Sequence, residues 1–221
     1  MTTALVADAV IRLGLPATIA PSGIRPLVAG SKFAGPASPV VLNGYADRIL
    51  ECIYRSDAGN VLLLDNKGRS DEACFGDLAA HEARSQGLVG VVIWGRHRDS
   101  VEVEEIGVPL FSYGTYPLGM QRTFPPVEEP FALCRFDEVN VERGDFVFAD
   151  DDGVLFVPKD HIESVMDTAE EIQSAERAQV EKIRAGTSLR EQLQFDRYLR
   201  EKKNNPTLTL GAYMKKIGRH F

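Results

Sequence analysis

Residues Asp65–Asp99 read DNKGRSDEACFGDLAAHEARSQGLVGVVIWGRHRD. The apolar run Val61–Asp65 leads into this stretch and predicts a strand buried on both faces. A polar loop containing Gly68 follows. Gly76-Asp77 then opens a helix, and Gly87 closes it. The second apolar run, 88–95, predicts another buried strand, which delivers the tetrad Arg96-His97-Arg98-Asp99. Two strands therefore carry two charged loops, with a helix start between them. Free backbone N–H groups at a helix start suit an anion. An Arg-Asp pair at a strand end sets a cation and a carboxylate at the same mouth. Together these features suit an anionic small molecule that chelates a metal.

Towards the N-terminus, residues 2–14 have helical spacing, with Leu5, Val6, Val10, Ile11 and Leu13 recurring on one side. Thr2 or Thr3 caps this helix, Gly14 and Pro16 stop it, and Asp8 reads as a solvated carboxylate. Strand character appears at 31–34 and again at 38–42. Residues 43–56 mix a loop with a short helix, and Asp57-Ala58-Gly59-Asn60 is a turn.

Beyond Asp99, residues 101–106 read as a short helix and VPLFSYG as a strand. Pro117, Pro125, Pro126 and Pro130 mark a long irregular connection. Strands follow at 131–136, on either side of the Arg143-Gly144-Asp145 turn, and at 154–157, after the turn Asp150-Asp151-Asp152-Gly153. So many short strands after position 100 predict a compact β-layer rather than a simple doubly wound sheet. The spacing then predicts a long charged helix over 161–185, ended by Gly186, and a second helix over 188–203. A basic tail with Lys215, Lys216 and Arg219 completes the chain.

The whole chain has 221 residues and a formal net charge of −7, which disfavours nucleic acid as the main partner. No apolar run approaches the roughly 20 residues of a bilayer span, so no membrane partner is expected. The first residues lack the pattern of a signal peptide. Cys52, Cys74 and Cys134 are widely spaced and read as buried thiols in a reducing cytoplasm.

Candidate chemistry gathers at two places. Asp77 either caps its helix or helps to hold a ligand beside Gly76, where no Cβ blocks the backbone amides. Arg98 can grip a carboxylate or a developing oxyanion with two N–H groups. Asp99 is a hard oxygen donor suited to Mg²⁺ or Mn²⁺. Its plainer reading is a surface ion pair with Arg98. His97 reads as a bystander. The Asp150–Asp152 run lacks the later ligands of a calcium loop and reads as a hairpin turn. His81-Glu82 is not followed by the second histidine of a zinc-protease helix, because Ser85 stands there. Nucleophile-elbow, P-loop and dinucleotide fingerprints are absent.

Four separated segments resemble the RraA-like family. They are Thr3-Ala4-Leu5-Val6-x-Asp8-Ala9, Gly76-Asp77-Leu78-x-Ala80, Gly90-Val91-Val92-Ile93-x-Gly95-x-x-Arg98-Asp99, and Arg143-Gly144-Asp145 continuing through Asp150-Asp151-Asp152-Gly153-Val154. The resemblance spans roughly positions 2–186. It implies an α/β fold of the swivelling β/β/α type, here with a C-terminal helical extension. The implied division is a catalytic domain over 1–186 and a helical arm and tail over 187–221.

The resemblance also implies a homotrimer, sometimes paired into a hexamer, with active sites between subunits. The implied activity is a Mg²⁺- or Mn²⁺-dependent lyase that releases pyruvate from a small 2-keto acid. Two reactions belong to it: aldol cleavage of a 4-hydroxy-2-oxo diacid, and decarboxylation of oxaloacetate. In this reading the amides of Gly76, Asp77, Leu78 and Ala79 bind the pyruvyl group, Arg98 contacts substrate, Asp99 ligates the metal and Asp77 orients a water. Glu176 or Glu181 would be the acid that a neighbouring subunit adds. Lys67 leaves a lysine route open by composition, and Trp94 with Arg96-His97 forms a bulky basic approach. Some family members are named for inhibiting a ribonuclease, so a non-catalytic binder is the alternative.

Overall fold

The computed structural model describes residues 1–125 and 127–218. Pro126 and Arg219, named above, lie outside the described residues. In chain order the elements begin with α1 (Thr3–Arg12), β1 (Thr18–Ile19), β2 (Arg25–Pro26), β3 (Phe33–Val41) and α2 (Asp47–Tyr54). Next come β4 (Val61–Asp65), β5 (Ala73–Phe75), α3 (Asp77–Ser85), β6 (Gly90–Trp94), β7 (Arg96–His97), α4 (Ser100–Ile106) and β8 (Leu110–Ser112). The later elements are β9 (Leu133–Phe136), β10 (Val139–Glu142), β11 (Phe146–Asp150) and β12 (Gly153–Val157). Helices α5 (Ile162–Arg184), α6 (Leu189–Gln192), α7 (Phe195–Asn204) and α8 (Leu210–Lys216) follow.

The strands build an 8-stranded sheet in the order β1-β12-β11-β3-β4-β6-β8-β2. Its centre, β3-β4-β6-β8, is parallel and joined through α2, α3 and α4. Both flanks are antiparallel. Alternation along β4 divides the core. Leu62 and Leu64 face a cluster with Ile49 and Ile53 of α2, Ala80 and Ala83 of α3 and Val103 of α4. Val61 and Leu63 face the other way, onto Cys134, Phe136 and Val141 of the β9-β10 hairpin. The result is a helical layer, a sheet and a β-hairpin layer.

The β-layer expected after position 100 is thus two things. The β9-β10 pair stands apart as its own small sheet, while β11 and β12 extend the main sheet through β3. The two extended pieces expected at 31–34 and 38–42 are one strand, β3. Its first half pairs with β11 and its second half with β4, so Pro39 falls where the β11 ladder has ended. Gly35 is needed at the change-over, because a Cβ there would lie 2.3 Å from the Gly59 carbonyl oxygen.

Thr2 caps α1 by accepting from the Leu5 amide. The acidic turn Asp150–Asp152 is occupied by the fold itself. Asp150 accepts from the Thr3 amide at 2.8 Å and from the Thr3 hydroxyl at 2.6 Å, and Asp151 accepts from the Gly30 amide. All three cysteines are free and buried. Burial pushes the Cys52 thiol up to about 11 and raises the Cys74 and Cys134 thiols for the same reason. A thiol reagent should label the native chain negligibly and label all three sites at once on unfolding, a result that time-resolved mass spectrometry reads directly.

The chain forms two compact units, one over Met1–Ala169 and one from Glu170 onwards. The sequence placed its division later, at the glycine that ends the long helix. In the second unit, the helix expected over 188–203 is two helices, because Gln194 takes a left-handed conformation (φ 50°) between α6 and α7. The expected basic tail contains α8, capped by Thr209. Leu193, Tyr198, Tyr213 and Met214 form the unit's own small core. Among the described residues no helix is long and apolar enough to cross a membrane.

Candidate active site

The parallel strands β4 and β6 end at Asp65 and Trp94, and the loops beyond their carboxyl ends build the site, as is usual for parallel α/β sheets. There β5 and β7 pair as a small parallel sheet of their own. That pairing brings Gly76, which follows β5, against Arg98 and Asp99, which follow β7. The Arg98 amide donates to the Phe75 carbonyl at 2.9 Å and locks the two loops together.

Asp99 adopts a left-handed conformation (φ 57°, ψ 45°) at the start of α4, which turns the chain sharply after Arg98. Its carboxylate lies beside the start of α3. Oδ2 is 3.3 Å from Arg98 Nε and 3.4 Å from the Asp77 amide nitrogen. Gly76 makes this approach possible: a Cβ there would sit 2.3 Å from Asp99 Oδ2. Asp77 accepts from the Leu78 amide at 2.7 Å. Two backbone amides of the α3 start therefore already face carboxylate oxygens, as the positive end of a helix favours.

A cleft of about 620 Å³ opens over this start. Gly76, Asp77, Leu78, Ala79 and Arg98 line it, with Tyr45, Ile49 and Leu50 from the α2 region and 117–121 from the proline-containing connection. Half of the Arg98 side chain is exposed. The structure thus brings together Gly76, Asp77, Leu78, Ala79 and Arg98 in the cleft wall, with Asp99 packed beside Gly76 and not among the lining residues.

The neighbouring residues sort differently. His97 is buried, and its two ring nitrogens share hydrogen bonds with the hydroxyls of Ser112 and Ser100, at 2.7 and 3.1 Å. Burial pushes its pKa down, with the Asp99 charge opposing. It pins β7 to β8 and does not line the cleft. Arg96 donates to the Thr115 carbonyl and Trp94 stacks on Phe136, so the bulky basic approach expected from sequence is absent. Lys67 sits 3.7 Å from the Phe124 ring centre and also lies off the cleft. Glu176 and Glu181 are exposed on α5, within the second unit, and Glu181 accepts from Arg184. The sequence marks the connection at 117–121 only as irregular. The prolines marked its irregularity and gave no sign that it walls a cleft.

Among the described residues no cluster of three or more His, Cys, Asp or Glu side chains could cage a metal. The donor set at Asp99 is one partly exposed carboxylate, whose Oδ2 occupies the space a Cβ on Gly76 would take and lies beside Arg98. That suits a hard ion taking few protein ligands, such as Mg²⁺ or Mn²⁺, and does not suit a structural zinc.

The RraA-like family model (Aldolase/RraA) matches residues 3–156. Protein DlpA of Legionella pneumophila is 30% identical over 177 residues, covering 75% of this chain. The match spans only 28% of that protein's own length. A Halalkalibacterium halodurans protein named "Putative 4-hydroxy-4-methyl-2-oxoglutarate aldolase" is 30% identical over 159 residues, covering 71% of this chain and 74% of its own. The crystal structure of Streptomyces coelicolor RraAS2 superposes with a TM-score of 0.71 at 28% identity, covering 80% of this chain and 90% of that one. It is described as an unusual member of the RNase ES inhibitor RraA protein family. The family match over residues 3–156 and relatives at 30% identity over more than two thirds of the chain agree: the chain belongs to the RraA-like family.

Proposed function

We propose that this protein is a divalent-metal-dependent carbon–carbon lyase that releases pyruvate from a small 2-keto acid. The observation that carries this reading is the packing of Asp99 against Gly76, the α3 start and Arg98, residues that line the cleft although Asp99 itself does not. Relatives named as aldolases support the same class. Mg²⁺ or Mn²⁺ held by Asp99 would supply a Lewis acid at the keto oxygen of the substrate.

The residues of the chain do the rest. Arg98 offers a planar fork of N–H groups to the substrate carboxylate and to the charge that grows on the keto oxygen. A substrate oxygen that takes the Leu78 amide displaces the Asp77 carboxylate from it. Asp77 is then free to hold a water. In aldol cleavage the C4 hydroxyl gives its proton to that water and C4 becomes a carbonyl. The C3–C4 bond pair moves onto the pyruvyl head, and return of the proton to C3 yields pyruvate. In oxaloacetate the departing group is CO₂, and the same pyruvyl head is left. No lysine adduct is required, which accords with Lys67 lying off the cleft. A homotrimer or hexamer in a cytoplasmic setting completes the proposal.

The test is pyruvate release from oxaloacetate and a panel of 4-hydroxy-2-oxo acids, with Mg²⁺, with Mn²⁺ and with EDTA. Release that EDTA abolishes supports the lyase. No release from any of them with metal present overturns it. The alternative, a protein that binds a ribonuclease without catalysis, has no use for the close approach of Asp99 to Gly76. Arg98→Ala should lower kcat/KM on the order of 10²–10³-fold, the usual effect of losing one oxyanion donor. Arg98→Lys should restore only part of it, since an ammonium lacks the fork. Steady-state kinetics on the best substrate decides this.

A further inference from the structure

We infer that Glu72, a buried acid that does not line the cleft, is a positioning residue for the reaction. It holds the connection at 117–121 in place, and that wall in turn fixes the Arg98 guanidinium. The inference rests on the lyase reading only through the role given there to Arg98. Arg98 lies between two glycines. A Cβ on Gly76 would come within 3.4 Å of its Nε, and a Cβ on Gly119 within 3.1 Å of its Nη1. The guanidinium therefore meets the α3 start on one side and the backbone of the connection on another. The β5-β7 pairing holds the first side. The second belongs to the stretch between β8 and β9, which has no helix or strand among its described residues.

Residues 71–73 grip that stretch instead. The Ala73 amide donates to the Leu118 carbonyl at 2.7 Å, and the Gln121 amide donates to Glu72 Oε2 at 3.4 Å. Arg122 pairs with Asp71 at 3.2 Å. The Asp71 and Arg122 side chains are each at least half exposed, so water screens their pair and it contributes little. Glu72 is only 2% exposed, and a carboxylate out of water holds its donor more firmly. The cost of burying it is offset by Arg69, whose Nε lies 3.0 Å from Glu72 Oε1. An apolar side chain at 72 would avoid that cost and could not accept from the Gln121 amide. What the buried acid adds is therefore its hold on the cleft wall.

The test is a double-mutant cycle on the full chain, with kcat/KM for pyruvate release measured in Mg²⁺. Arg69 keeps its two bonds to Asp71 in Glu72→Ala, so no buried charge is left unpaired and the fold should persist. Glu72→Ala should lower kcat/KM on the order of tenfold, what one hydrogen bond to a charged group is worth. In an Arg98→Ala background the same change should cost less than about threefold, because the two residues act through one contact. An equal factor in both backgrounds would mean that Glu72 serves the fold alone, and would overturn the inference. Phenylglyoxal modification, followed residue by residue by mass spectrometry, reads the same point without turnover. Arg98 should react several-fold faster in Glu72→Ala, while the half-buried Arg143 keeps its wild-type rate. No change at Arg98, or an equal rise at both, would overturn the inference. A wild type that releases no pyruvate would sink the lyase reading, and the modification rates would still decide the role of Glu72. Should Glu72→Ala not fold, Gly119→Ala presses on Arg98 from the wall and leaves the ion pairs intact. A fall in its kcat/KM at an unchanged melting temperature supports the inference, and wild-type kinetics in that variant overturn it.

Discussion

Asp99→Asn should abolish metal-dependent pyruvate release while the fold persists. The carboxylate is the one protein oxygen we assign to the metal, and a Lewis acid at a developing charge contributes several kcal/mol. Its loss is then a drop on the order of 10³-fold. Asparagine is the informative replacement. Asp99 holds a left-handed conformation at the α4 start, and its carbonyl accepts from the Val103 amide at 2.9 Å. Asparagine tolerates that conformation, whereas alanine adds a backbone cost of about 1–2 kcal/mol. A melting temperature within a few degrees of wild type, with release gone, is the expected pair of results. Unchanged release in Asp99→Asn would remove the metal role altogether.

The second large effect comes from one methyl group. Gly76→Ala places a Cβ 2.3 Å from Asp99 Oδ2 and 3.3 Å from Arg98 Cγ. Gly76 itself has an extended backbone (φ −152°, ψ −166°) that any residue adopts, so the substitution does not strain the chain locally. Removing a glycine also lowers the entropy of the unfolded chain, worth about 0.4–1 kcal/mol. Stability should therefore change little. The Asp99 carboxylate and the Arg98 stem, however, must shift by an amount on the scale of 1 Å. Displacements of that size cost on the order of 10²-fold in rate. The check is kcat/KM beside a denaturant titration: a large fall in the first and almost none in the second. A variant that loses both equally would mean that Gly76 serves packing alone.

Much of this was readable from residues. The runs 61–65 and 88–95 are too short and too apolar to be anything but buried strands, and Gly76-Asp77 and Gly87 bracket α3 with ordinary stop and start chemistry. Gly76, Asp77, Arg98 and Asp99 could be singled out, yet their meeting depends on the β5-β7 pairing. Ala73–Phe75 and Arg96–His97 carry no alternation long enough to announce a strand. The prolines of β3 hid its continuity, since a proline suggests an edge and β3 changes partners mid-strand. The break at Gln194 was equally hidden, because a left-handed glutamine has no compositional signal. The walls of the cleft were the least legible part. Tyr45, Leu118 and Met120 come from irregular segments whose position is set by tertiary packing.

The acidic clip on α1 bears on how the molecule is made. Thr3 is tied to Asp150 across a sequence separation of 147 residues. Strands β1 and β3 likewise take partners from 146–157. A ribosome delivers these segments in order, so the apolar face of α1, with Leu5, Val6 and Val10, waits unpartnered until the acidic turn emerges. The parallel centre has local crossovers and can form earlier, leaving closure of the antiparallel flank as the late, slow event that distant pairings produce. An Asp150→Ala chain should then show its largest defect in the yield of nascent protein, with a milder one in the melting of molecules that have already folded.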